Sequence, residues 1–159
     1  VFAGGCGFTY GNNAVMQFYK PDDIKPAYGA REFWDVALNA PGASQMQYLK
    51  NLILSKSFFD RVPANDLLAS EQGEKYDYIA VTRGKDYLFA YTYTGREITL
   101  NLKKLNFLKF RYSWFDPRHG TYSKSVTADN TEIISFDPPG DAVPGNDWVL
   151  VLESIKESV

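Results

Sequence analysis

Within this 159-residue chain, the side chains best placed to do chemistry lie at the start, in VFAGGCGFTYGNN. An apolar stretch passes through glycines into a polar tip, the composition of a buried parallel strand running into a loop. At the carboxyl end of such a strand, parallel α/β sheets and barrels place their ligand-contacting groups. Tyr10, Asn12 and Asn13 are therefore candidate substrate-binding residues. An ordinary Gly/Asn turn with a packed tyrosine fits the same residues, and both readings stay open. GGCG is not a dinucleotide fingerprint, because GxGxxG should open directly into a helix and no helical pattern starts there. No cofactor is expected.

Other reactive side chains are sparse. Cys6 cannot form an internal disulfide, since it is the only cysteine, and its apolar surroundings predict a small buried residue. The only histidine, His119, lies far away in the turn DPRHG and reads as exposed and non-catalytic. Glycoside hydrolysis requires two carboxylates flanking the scissile bond. Asp22, Asp23, Glu32, Asp35, Asp60 and Asp66 all fall in loop, helical or linker text that suits solvated surface or helix caps. No metal-ligand spacing stands out, and no metal is expected. Aromatic residues alternate at Tyr87, Phe89, Tyr91 and Tyr93, and again at Phe110, Tyr112 and Trp114. Trp114 and Tyr112 are candidates for stacking on glycan rings, although aromatics with such spacing also fill sandwich cores.

The elements that must position these groups fall into two sets. A composition of 45% hydrophobic and 23% charged residues supplies ample core material for a folded chain. Net charge is −2 with no basic run, which argues against nucleic-acid and acidic-lipid partners. No apolar run is long enough for a membrane span. Helical text occupies Ala30–Leu38. Ser44 with Gln47 resembles a capping box, and Met46, Leu49, Leu52 and Ile53 recur at helical spacing, predicting a helix over 44–55. One strand-loop-helix unit cannot bury both faces of its strand, so its partners are expected elsewhere, as in the remnant of a larger α/β domain. From Tyr76 the period shortens. Strands are predicted near 76–82, 86–93, 97–102, 109–115, 121–126, 131–136 and 147–153, separated by turn signals, as in an antiparallel sandwich.

The segments FAGGCGFTYGNNAVMQFY, APGASQMQYLKNLILS, FFDRVPANDLL, YDYIAVTRGKDYLFAYTYTGR, WFDPRHGTYSK, FDPPG and NDWVLVLE, taken in order, resemble the C-terminal part of apiosidase-like bacterial glycoside hydrolases. The resemblance spans nearly the whole chain. It implies an α+β fragment: the terminal βα unit of a (β/α)8 barrel over residues 1–70, followed by an antiparallel β-sandwich accessory domain over 73–159, of a type catalogued as a collagen-binding domain of a collagenase. Catalytic carboxylates of such barrels usually lie on earlier strands, so no catalytic residue is assigned here.

By the same resemblance, the parent protein would be periplasmic, on the cell surface or secreted, and would act on side chains of pectic or related plant polysaccharides. The partners implied are the missing N-terminal barrel segment and carbohydrate. Within this chain the sandwich is expected to pack on the barrel as a structural companion, with Phe58, Phe59, Val62, Leu67 and Leu68 as a docking strap. The alternative is a glycan- or collagen-binding module without catalytic activity.

Overall fold

The computed structural model describes residues 1–106 and 108–155. Its N-terminal third is irregular chain carrying three helices: α1 (Asn13–Met16), α2 (Trp34–Ala37) and α3 (Pro41–Leu54). Only α3 is long. It begins at Pro41, three residues ahead of the expected Ser44, because proline at the first helical position loses no hydrogen bond and its ring presets a helical φ. Ser44 is therefore interior, and no capping box forms; Gln47 Nε2 donates to the Ser44 carbonyl instead, at 3.0 Å.

The expected opening strand is also absent, since residues 1–12 follow no regular structure. A parallel strand exists only through hydrogen bonds to neighbouring strands, and none of the described strands pairs with this segment. Phe2 is nonetheless fixed. Its ring stacks on Phe89 at 6.0 Å and meets Tyr91 edge-on at 6.5 Å.

The remainder is antiparallel throughout. The strands are β1 (Val62–Pro63), β2 (Ala80–Arg83), β3 (Tyr87–Thr92), β4 (Ile98–Asn101), β5 (Lys109–Asp116), β6 (Thr121–Tyr122), β7 (Val126–Asp129), β8 (Ile133–Phe136) and β9 (Trp148–Ser154). The larger sheet runs β1-β2-β3-β9-β5-β6, with β7 also on β5, and β4 pairs with β8 in a second, smaller sheet. Strand expectations hold with local shifts. The strand expected from 76 starts at Ala80 because Lys75–Asp77 is a tight helical turn. The strand expected over 121–126 is split by Ser123, whose N–H and Oγ both bond to the Trp114 backbone and interrupt the ladder.

Alternation along the strands gives the larger sheet two buried faces. Val81, Leu88, Ala90, Phe110, Trp114, Leu150 and Leu152 point toward the small sheet, where Ile98, Leu100 and Phe136 close the sandwich core. Tyr87, Phe89, Phe115, Val149 and Val151 point the other way and are covered by Leu52, Tyr48 and Ile53 of α3 together with Phe2. The architecture is thus three layers: small sheet, large sheet and helix. At about 1.5–3 kcal/mol for each large apolar side chain buried, the helix layer is a substantial part of the fold.

Residues 62–70, expected in the first unit, are built into the sandwich. Val62 and Pro63 pair with Arg83 and Thr82, Ala64 and Leu67 lie in the main core, and Leu68 bridges Leu100. The docking strap accordingly differs from expectation. Leu67 serves the sandwich, whereas Phe58 and Phe59 stack on each other at 4.3 Å and remain exposed. The connection between helix and sheet is made instead by Tyr87, whose hydroxyl donates to the Ser57 carbonyl at 2.6 Å. Glu153 of β9 adds an ion pair with Lys56 and a 2.6 Å bond from Arg111.

Candidate functional site

The candidate loop residues divide between two clefts. Tyr10 lies over Gly42 at the start of α3, where a Cβ would stand 3.0 Å from its Cε2, so a larger residue there would press the ring outward. Together with Cys6, Phe8, Met46, Leu49 and Phe58 it lines an apolar groove of about 490 Å³. Cys6 is exposed in that groove rather than buried, because no described residue covers it.

Asn12 and Asn13 instead line a smaller polar cleft of about 290 Å³ with Gly11, Gly29, Ala30, Arg31 and Glu32. Asn12 also has a structural task. Its Oδ1 accepts from Ala14 N at 2.9 Å as the N-cap of α1, the preferred role of asparagine at that position. Its amide Nδ2 is left to donate. Asn13 Nδ2 donates to the Tyr28 carbonyl at 2.9 Å, and Gln17 exchanges bonds with Ala27 at 2.8 and 2.9 Å, so the two sides of this cleft are tied together. Sequence reasoning missed the far side, because Ala30, Arg31 and Glu32 read as the start of helical text and Ala27–Gly29 offer only one aromatic between small residues.

The glycan-stacking candidates on the sheet pack toward the sandwich core. Trp114 is 5% exposed and sits in the sandwich core, which leaves no ring face for a sugar. Tyr112 packs on that core, edge-on to Phe136 at 5.0 Å. The other aromatic row, Tyr87 and Phe89, is covered by α3. Among the described residues, no group of three or more His, Cys, Asp or Glu side chains converges as for a metal, and no helix is long and apolar enough to cross a membrane.

Comparison with known families follows the two units of the fold. Residues 62–153, more than half of the chain, match a family model described as "Putative collagen-binding domain of a collagenase", and residues 1–60 match "Apiosidase-like, catalytic domain". The chain belongs to the family of the first model, and its residues 1–60 are similar to the second. Among solved structures it is similar to a "Glycoside hydrolase" at 40% identity and TM-score 0.90, over 99% of this chain and 35% of that one. It is also similar to a glycoside hydrolase family 5 protein from Bacteroides vulgatus ATCC 8482, at 38% identity and TM-score 0.89, over 96% of this chain and 34% of that one. The chain therefore spans about a third of the length of the solved proteins it matches. No curated protein matches it.

Elsewhere in the chain, one strongly shifted carboxylate lies beside the β5–β6 turn, against α3. Arg118 Nε donates to Asp116 Oδ1 at 2.9 Å and its NH2 to Asp116 Oδ2 at 3.2 Å, while His119 Nδ1 lies 3.0 Å from the same Oδ2. The guanidinium stacks over Trp148, 5.1 Å from the ring centre. Gly120, with φ +70°, abuts Tyr48 of α3 so closely that a Cβ would fall 2.4 Å from the ring. Burial tends to raise the Asp116 pKa, but hydrogen bonds from Arg118 and His119 outweigh it and hold the carboxyl at about 2. Asp147 goes the opposite way: burial raises it, and Arg118, 3.7 Å from it, offsets this only in part. Its neighbour Tyr91 is pushed up to about 12, chiefly by burial and then by the Asp147 charge.

A folded pKa below the unfolded value means that the stabilisation from Asp116 is complete above about pH 4 and is lost as the pH falls toward 2. Its size is about 2 kcal/mol at neutral pH. Urea unfolding of wild type and Asp116→Asn should differ by about that amount at pH 7, and the gap should close between pH 4 and 2. A gap independent of pH would contradict the assigned role of this carboxylate.

Proposed function

We propose that this chain is the C-terminal portion of a carbohydrate-degrading glycoside hydrolase acting on side chains of pectic or related plant polysaccharides, in a periplasmic, cell-surface or secreted setting. Residues 1–60 would supply the closing loop and helix of a (β/α)8 barrel. The sandwich from Val62 onward would be its structural accessory domain, which puts the domain boundary near Arg61. One observation carries the accessory role: the outer face of the large sheet is an apolar platform of Tyr87, Phe89, Phe115, Val149 and Val151, fitted to α3. A sheet face made for ligand would present its aromatic rings to solvent instead.

Catalytic carboxylates are assigned to upstream barrel strands. The apolar groove between the opening segment and α3, lined by Phe8, Met46 and Leu49, is where those units would pack. Tyr10, Asn12 and Asn13 remain the substrate contacts in this reading.

Turnover of aryl glycosides and pectic oligosaccharides provides the test. The 159-residue chain should release no product, whereas a protein extended upstream through the remaining barrel units should. Hydrolysis by the shorter chain alone would place the catalytic pair within it and overturn the assignment.

A further inference from the structure

Arg61 stands where the segment after α3 enters the sheet, and its side chain carries an unmet demand. Nη1 is shut off from solvent and has no hydrogen-bond partner among the described residues. The nearby Tyr87 hydroxyl, which donates to the Ser57 carbonyl, supplies no counter-charge. A buried donor left unpaired is costly, and more so on a charged group, so it calls for an explanation.

The same side chain lines the apolar groove of about 490 Å³ beside α3. Lys50 and Arg61 are the charged side chains of that lining, and no carboxylate faces them across it. Phe8, Leu54 and Phe58 line it too and are 61%, 54% and 44% exposed, so the groove is an uncovered apolar surface. Val1 lies on its wall, and the solved relatives carry about two-thirds of their length beyond the part matched here.

We propose that this groove seats one apolar segment from the preceding part of the longer protein, and that this segment brings a carboxylate to the Arg61 guanidinium. Wholly apolar cover would take the guanidinium further out of water with nothing to balance its charge. Lys50 is exposed and can extend its ammonium past the edge of the cover, so it needs no partner. Arg61 is half-buried already, with Nη1 enclosed, and has no such route. Its planar fork of donors suits a carboxylate in particular. The inference rests on reading this chain as the C-terminal portion of a longer hydrolase, and it adds the charge pairing that fastens that portion in place.

Urea unfolding of the 159-residue chain and of the protein extended upstream, each as wild type and as Arg61→Met, provides the first test. Methionine keeps much of the apolar stem and removes the charge. In the extended protein the substitution should lower the folding equilibrium constant about 100-fold, because it strands the buried carboxylate. In the shorter chain it should leave stability unchanged or raise it, since it removes an unpaired cation. Arg61→Lys in the extended protein provides the second test: carbodiimide activation should join the introduced amine to an Asp or Glu upstream of Val1, found by mass spectrometry as an amide-linked peptide pair. Equal effects of Arg61→Met in the two proteins, or no link from that amine to an upstream carboxylate, would overturn the pairing. The turnover assay is read separately. Both Arg61 results without turnover would remove the hydrolase reading and leave the docking standing, and turnover with equal Arg61→Met effects would do the reverse.

Discussion

Phe89→Ala is expected to lower the unfolding free energy by about 3–5 kcal/mol, the usual range for deleting a buried phenylalanine ring. Phe89 is fully buried, at 0% exposure, between the sheet and α3, where it stacks on Phe2 and lies 4.9 Å from the Tyr87 ring centre. The cavity would open in the helix layer and leave the sandwich core on the other side of the strand intact. Two readouts should therefore move together: a lower urea midpoint with unchanged slope, and faster proteolytic cleavage within Pro41–Leu54. A variant with wild-type stability and an equally protected helix would show that α3 does not depend on this face.

Arg118→Ala is expected to cost about 3 kcal/mol, because it strips the counter-charge from a carboxylate that folding keeps out of water. Asp116 is 8% exposed, and Arg118 supplies two side-chain bonds to it, beside the one from His119, as well as bonds to the Gly145 carbonyl at 3.1 Å and Asn146 Oδ1 at 3.3 Å. The loss should thus extend to the loop before β9, which Asn146 holds through the Pro139 and Asp141 carbonyls, each at 2.9 Å. Arg118→Lys should recover only part of the loss, since an ammonium cannot make the forked contact or stack in the same way on Trp148. Chemical denaturation at pH 7 measures both, and a cost well below 1 kcal/mol for the alanine variant would contradict the account.

Much of the sandwich was legible because strand alternation is local. Tyr87, Phe89 and Tyr91 at period two, with apolar Leu88 and Ala90 between them, spell a strand buried on both faces wherever the covering layer comes from. What covers the outer face was not legible. The covering residues Tyr48 and Leu52 lie more than thirty positions upstream, and helical spacing shows that α3 has an apolar stripe without showing which sheet face receives it. The alternation of Phe110, Tyr112 and Trp114 was ambiguous for the same reason, since only the packing of β4 and β8 turns that face inward.

Near the N-terminus the limit was different. Asn12 and Asn13 were recognisable as polar loop residues, but capping α1 and tethering Tyr28 are contacts made across a turn and a loop. Val1–Ala3 has strand composition, yet a strand is a property of a sheet and not of one segment. The start of α3 was misplaced by a competing local signal, Ser44 with Gln47, which Pro41 overrode.

The central claim is that the large sheet and α3 form one cooperative structural unit, with the sandwich acting as the mount for the helix that closes the barrel domain. Hydrogen exchange of the intact chain tests it most directly, because amides that open together report the same free energy. Amides from Tyr48 to Leu54 should exchange with an opening free energy close to that of Phe89 in β3 and Val151 in β9. Rapid exchange through α3 while β3 and β9 stay protected would contradict the claim.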